Sequence, residues 1–203
     1  MVSRCNENLV LLVLLSVALL LSAIEPYDRL TWWLETFPVF IGLPILLLSY
    51  RRFPLTAIAY RLLFIHALIL IVGAHYTYAR VPIGFWLQDW LELSRNHYDR
   101  LGHLAQGFVP AILAREILIR RSPLQAGKWL FFIVVCICLA ISAFYELIEW
   151  WVAIAAQQGA IEFLGTQGDV WDTQSDMFMA LIGATAAQLL LARRHSRQLS
   201  SLG

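Results

Sequence analysis

The stretch GDVWDTQSDM, residues 168–177, places Asp169, Asp172 and Asp176 at i, i+3 and i+7, a spacing that puts three carboxylates on one face of a helix. Two further stretches carry matching chemistry. NHYDRLGHLAQ sets Asp99, His103 and Gln106 along one stripe, and YELIEWW sets Glu146 and Glu149 one turn apart. Carboxylate oxygens suit Mg²⁺, Mn²⁺ or Ca²⁺, and imidazole from His103 with His97 or His75 shifts such a set toward Zn²⁺, Mn²⁺ or Fe. The candidate ligands are His103, Glu146, Glu149, Asp169 and Asp172. Asp99 and Asp176 are the candidate bases, and Arg100 is the candidate group for an anionic headgroup. The cofactor so implied is a divalent cation of unassigned identity.

These groups sit in an oily chain. Of 203 residues, 60% are hydrophobic and 14% charged, with a mean hydropathy of +0.67, whereas soluble domains carry about 25% charged residues. A lipid bilayer is therefore the expected partner. The net charge of +1 offers no broad basic field, which argues against a nucleic-acid binder. Cys5, Cys136 and Cys138 form no CxxC pair and indicate no disulfide framework; the last two fall in an apolar run as small hydrophobes.

Six stretches, near 8–24, 34–50, 55–79, 99–119, 128–154 and 175–192, are long and apolar enough to be read as membrane spans, given that a bilayer core of roughly 30 Å needs about 17–25 residues of helix. The fourth carries charge at both ends and Pro110 within, so a five-span arrangement with that segment re-entrant or interfacial is the alternative. Asn8 to Ile24 reads as an uncleaved first span and not a signal peptide, because its apolar run is long and EPYD is a poor cleavage context. With no repeat and no second soluble domain, the expected fold is an all-α polytopic bundle of about six transmembrane helices forming one integral membrane domain over 1–203. GFWLQDWLEL, residues 84–93, sets Trp86, Trp90 and Leu93 on one side and Gln88, Asp89 and Glu92 on the other, as a short amphipathic helix on the outer surface would.

Basic residues orient the bundle. With both termini cytoplasmic, the inner segments hold Arg4, Arg51, Arg52, Arg115, Arg120, Arg121, Lys128, Arg193, Arg194 and Arg197, and the outer ones only Arg29, Arg80, Arg95 and Arg100. The same topology sends nearly all acidic residues outward and leaves only Glu7 and Glu116 inside. Acidic residues barely influence insertion, so this asymmetry needs another cause. All tryptophans except Trp129 also fall near the outer boundary, as an interfacial belt.

The helix ends carrying the acidic groups thus meet at one level, joined by Glu35 and by His75, Tyr76 and Tyr78 of AHYTYAR. Ionisable groups at membrane depth cost about 2.5–3.5 kcal/mol each on insertion scales, so they face the bundle interior and pair or serve a function. Clustered carboxylates repel; a bound cation, proton uptake or arginine pairing relieves this. Two readings stay open: a metal or catalytic site, and an ion-pair network in which Arg100 and Arg95 neutralise the aspartates. Other residues have plainer readings: His66 as a hydrogen-bonded packing histidine, His195 as part of a solvated basic tail, Tyr76 and Tyr78 as interface anchors, Glu162 as exposed, and Gly159, Gly165 and Gly168 as turn residues.

At HYDRLGHLAQGFVPAILARE, YELIEWW and GTQGDVWDTQSDM the sequence resembles the YjdF-like family of bacterial inner-membrane proteins. The resemblance runs over most of the chain and implies a multi-pass protein of the bacterial cell inner membrane, without an assigned activity. A more remote similarity is to VanZ-like membrane proteins, whose elements are matched by Asp99, Arg100 and His103, by Glu146 and Glu149, and by Asp169, Asp172 and Asp176. Arg100 stands there for a lysine and Asp176 for an asparagine, and that likeness implies a cell-envelope context.

Two classes of function follow. One is an enzyme at the outer membrane boundary, using a cation to act on a lipid or lipid-linked envelope substrate. The other is non-enzymatic: a cation- or proton-coupled carrier, or a structural partner whose polar cluster is an ion-pair network. A carrier needs polar groups through the midplane, where His66, Arg61, Gln106 and Ser142 are the main candidates. Oligomeric state has no sequence signature here.

Overall fold

Thr56 and Asp28 show how the helices of this chain begin: each stands in extended backbone and its side chain accepts a hydrogen bond from the N–H three residues on. In a computed structural model, residues 2–156 and 161–202 are described, apart from the side chains of residues 2–5, 156, 161 and 162. Gly159 and the side chains of Arg4, Cys5 and Glu162 lie outside the described residues. The elements are α1 (Val2–Ser22), α2 (Arg29–Ser49), α3 (Ala57–Tyr76), a 3₁₀ turn (Tyr78–Arg80), α4 (Pro82–Trp90), α5 (Tyr98–Arg121), α6 (Lys128–Ala156), α7 (Ile161–Leu164) and α8 (Asp172–Ser200), with no strand among the described residues.

The chain is an all-α polytopic membrane protein. α2, α3, α6 and α8 are long and apolar enough to cross a bilayer, and α1 is apolar over the shorter stretch Asn6–Ser22. Their outward faces carry exposed Leu, Val, Ile and Phe, among them Leu48, Leu189 and Leu190, which only lipid can solvate at this density. α5 falls short on apolarity for a structural reason. It touches α3, α6 and α8 and buries Asp99, His103, Arg115 and Glu116, so its polar groups meet protein instead of lipid.

The closest approach in the bundle is between α5 and α8. A Cβ built on Gly107 would lie 1.9 Å from the Ala180 carbonyl oxygen, and one on Gly183 would lie 2.1 Å from that of Leu104. Ala180, Ala184 and Ala187 continue the small stripe along α8, the device by which membrane helices bring backbones together. Toward the inner end this seam runs into a core of Leu55, Ile58, Ile112, Leu130, Val134 and Cys138. A second core, Leu15, Val39 and Ile71, joins α1, α2 and α3.

Several boundaries differ from the sequence expectation. The third span stops at Tyr76, three residues early, because Thr77 takes φ +62° and the chain turns into the 3₁₀ segment. The surface helix covers 82–90 instead of 84–93: Pro82 opens it, and Glu92 at φ +52° closes the way to Leu93. Asp169 does not share a helical face with Asp172 and Asp176. Gln167 at φ +49° and Gly168 at φ +84° hold the chain in a turn there, and α8 starts only at Asp172.

Because the seam has no room for a side chain, Gly183→Val must push α5 from α8. Overpacking of this kind costs about 1–3 kcal/mol or more. The variant is expected to melt several degrees below the wild type in detergent, while Gly127→Ala, which meets only one atom at 4.0 Å, is expected to melt as the wild type does.

Candidate functional site

α5 carries the hub of the site. His103 Nε2 lies 3.6 Å from Asp99 Oδ1 one turn back and 3.7 Å from Glu146 Oε1 on α6. Asp99, His103 and Asp176 form one group whose ligand atoms lie within 4.8 Å of one another, and His103, Glu146 and Glu149 form another. Three helices, α5, α6 and α8, therefore converge on one imidazole. Gln106 Oε1 stands 3.1 Å from His103 Nδ1. An amide oxygen only accepts, so Nδ1 carries the proton and Nε2 of the neutral ring turns its lone pair toward the carboxylates.

Two oxygens of this cluster have no hydrogen-bond partner: Glu146 Oε1 and Asp176 Oδ1. Their residues are only 8% and 2% exposed. Beside an imidazole lone pair they add electron density without a proton to bind it, an arrangement that a cation or a proton completes. The cluster opens on a cavity of about 210 Å³ whose walls include Glu35, His66, Tyr78, Asp99, His103, Tyr145 and Glu149. The Tyr145 hydroxyl donates to Glu35 Oε2 at 3.1 Å, and its ring lies edge-on to His103.

The remaining acidic candidates stand in a separate layer at the mouth. Asp172 pairs with Arg95 at 2.5 Å and Asp169 with Arg100 at 2.6 Å. Arg95 also donates to the Thr166 carbonyl and lies 3.8 Å from Asp169. The Trp171 N–H, bonded to Asp169 at 2.9 Å, together with Arg95 and Arg100, holds that carboxyl below the usual carboxylate range. Thus Asp99, His103, Glu146, Glu149 and Asp176 come together, while Asp169, Asp172 and Arg100 are tied to one another and to Arg95. His75 is elsewhere, 3.0 Å from the Ser22 carbonyl through Nδ1.

Matches to known proteins agree with this architecture. The family described as predicted membrane protein DUF2238 matches residues 7–197. The chain belongs to that family. It is similar to the inner membrane protein YjdF of Escherichia coli strain K12, with 56% identity over 189 residues, 93% of this chain and 90% of that protein. This DUF2238 protein, with its several apolar helices, is like YjdF a protein of the inner membrane. No solved structure matches, and neither match supports the VanZ-like relationship.

Some residues of this family member depart from their sequence expectation. Tyr78 is no interface anchor: its ring is buried against Gly73 and Gly102, whose missing side chains make its slot. Tyr76 stays exposed. His66 packs without the expected hydrogen bond at Nε2, which has no partner. Trp32 is buried, its indole N–H donating to Ser22 Oγ at 3.1 Å, while Trp33, Trp86, Trp90, Trp150, Trp151 and Trp171 are exposed as a belt requires. Cys138 is buried and Cys136 exposed.

His195 is the largest correction. It is 0% exposed, not solvated. Its Nε2 lies 3.0 Å from Glu116 Oε2, and Nδ1 lies 2.8 Å from Arg115 Nη1. The guanidinium donates, so Nδ1 accepts and the ring gives its Nε2 proton to Glu116. Glu116 also accepts from the Thr56 N–H and hydroxyl and from Arg120 at 2.8 Å. The helical continuation of α8 to Ser200 buries His195, and α5 supplies both Glu116 and Arg115. No motif spacing links residues so far apart in sequence.

This cluster, toward the C-terminal end of α5, is closed: both Glu116 oxygens have hydrogen-bond partners. Breaking a buried charged pair by removing one partner costs about 3–5 kcal/mol. Glu116→Ala is expected to lower the melting temperature markedly and by the same amount with or without divalent metal, measured by thermal unfolding in detergent; a variant melting like the wild type would deny the cluster a stabilising role.

Proposed function

We propose that this chain is one integral membrane domain, 1–203, crossing the bilayer six times with both termini cytoplasmic, and that its outward-facing cluster holds a divalent cation. The observation that carries the reading is Glu146 Oε1, buried, without a partner, and 3.7 Å from His103 Nε2. That separation is long for a hydrogen bond. A cation about 2.1 Å from each of two ligand atoms holds them roughly 3.0–3.6 Å apart at ligand angles of about 90–120°. The 3.7 Å between Nε2 and Glu146 Oε1 lies close to that span and is too long for a hydrogen bond, which supports an ion between the two.

In this reading His103, Glu146 and Glu149 supply the cation's protein ligands and leave coordination positions for water and substrate. One imidazole among carboxylates favours Mn²⁺, Fe²⁺ or Zn²⁺ over Ca²⁺. The cation would polarise a phosphoryl or ester oxygen of a lipid or lipid-linked envelope substrate. Asp176, with Oδ1 bare, or Asp99 would take the proton of the attacking water. Asp169, Asp172 and Arg100 would fix the mouth of the site through their pairing instead of touching the ion. The carrier alternative is disfavoured by the cavity adjoining His66, whose lining is mostly aliphatic and, although it includes Asn8, Tyr50 and Tyr60, contains no Asp, Glu, Lys or Arg to carry an ion onward.

The test is metal content and metal-dependent melting of the purified protein with two variants. The wild type is expected to hold about one ion per chain and to gain roughly 2.7 kcal/mol at 100 times the dissociation constant. Glu146→Gln should lose both ion and gain. Asp172→Asn should keep the ion while melting lower, since it strands Arg95. A wild type without metal, together with a Glu146→Gln protein that melts at or above it through relief of carboxylate repulsion, would overturn the proposal.

A further inference from the structure

A second cavity adjoins the acidic one and is far more apolar. It has a volume of about 410 Å³ and is lined by Leu12 and Leu15 of α1, Gly42 and Leu46 of α2, and Leu63 and Ala67 of α3, among others. Such a volume falls within the range of ligand-sized sites, about 300–1,000 Å³. Its origin is topological. α1 and α2 each lie along α3 but touch each other little, meeting at Trp32 and Ser22 at the outer end and through Asn8 and Tyr50 at 3.3 Å at the inner end. Between these two clasps a gap faces the bilayer.

The two cavities share Pro38, His66 and Leu70, so they adjoin at these residues. We infer that the gap between α1 and α2 holds one acyl chain of a membrane phospholipid whose polar end lies in the acidic cavity. The inference rests on the cation-dependent reading above and names its substrate class. Length supports an acyl chain. From Tyr60 to Leu70, α3 rises about 15 Å, about half the depth of a 30 Å hydrocarbon core and within the reach of an extended acyl chain. A polyprenyl tail several times longer would overrun the inner clasp. Most of the wall is aliphatic side chains from three helices, with no Asp, Glu, Lys or Arg among the lining residues. The lateral opening admits one chain while the second stays in the bilayer.

Gly42 provides the test. It lines the cavity, and a Cβ added there meets nothing within 4 Å, so Gly42→Phe fills the space without forcing helices apart and removes a helix-weakening glycine. The protein is reconstituted in vesicles of phosphatidylethanolamine and phosphatidylglycerol doped with a phospholipid carrying a photoreactive diazirine on one acyl chain. Adducts are mapped by peptide mass spectrometry, and metal content is measured on the same samples. Adducts are expected to concentrate on Leu46, Leu63 and Ala67 over the outward-facing Leu20 and Leu189, and to fall about tenfold in Gly42→Phe while bound metal and melting temperature stay unchanged. Labelling equal on outward-facing residues, or unaffected by Gly42→Phe, would mean bulk-lipid solvation only and overturn the inference. Efficient labelling by a polyprenyl-phosphate probe in place of the phospholipid would overturn the choice of occupant. Groove labelling in a protein without metal would remove the cation reading and leave the lipid site standing; metal without groove labelling would do the reverse.

Discussion

The contact of α5 with α8 governs the rest of this molecule. Gly107 and Gly183 let the two backbones approach to a separation that no Cβ would permit, and that contact fixes the distance between the Asp99–His103 stripe and Asp176. A hub built this way tolerates polar residues on α5, because each one meets a neighbouring helix before it meets lipid. The same enclosure makes every unpaired buried group around α5, Glu146 Oε1 and Asp176 Oδ1 among them, costly. What is left unpaired is therefore informative.

The two ends of the seam resolve that constraint differently. At the C-terminal end of α5, Glu116 accepts hydrogen bonds from Thr56, Arg120 and His195, and His195 in turn accepts one from Arg115. At the outer end, Arg95 and Arg100 are engaged by Asp172 and Asp169, and neither arginine pairs with the carboxylates around His103. One cluster is a completed network and the other is a set of acceptors gathered around an oriented imidazole. Natural membrane proteins retain intramembrane charge at such cost where it serves a function, and the asymmetry between the ends is what supports proposing a function for the cluster around His103.

The helices and the outer concentration of acid were legible because hydropathy and positional spacing report them directly. Asp99, His103, Glu146, Glu149 and Asp176 could be gathered from their levels along the spans. The division between the cluster around His103 and the Arg95–Asp172 and Arg100–Asp169 pairs could not, because it depends on where a turn ends and α8 begins, and that is set by Gln167 and Gly168 taking positive φ. His195 misled for a related reason. It sits in RRHSR, a basic context that reads as solvated tail, and its burial arises only because α8 continues to Ser200 and passes Glu116 of α5. Tyr78 was concealed likewise: its slot is made by two glycines, Gly73 and Gly102, on different helices.

The most direct test of the central claim is pulsed electron paramagnetic resonance of the Mn²⁺-loaded protein. A cation seated at His103 Nε2 should show hyperfine coupling to one imidazole ¹⁴N that disappears in His103→Gln. Mn²⁺ that binds without nitrogen coupling, or with coupling that survives the substitution, would place the ion elsewhere and contradict the account.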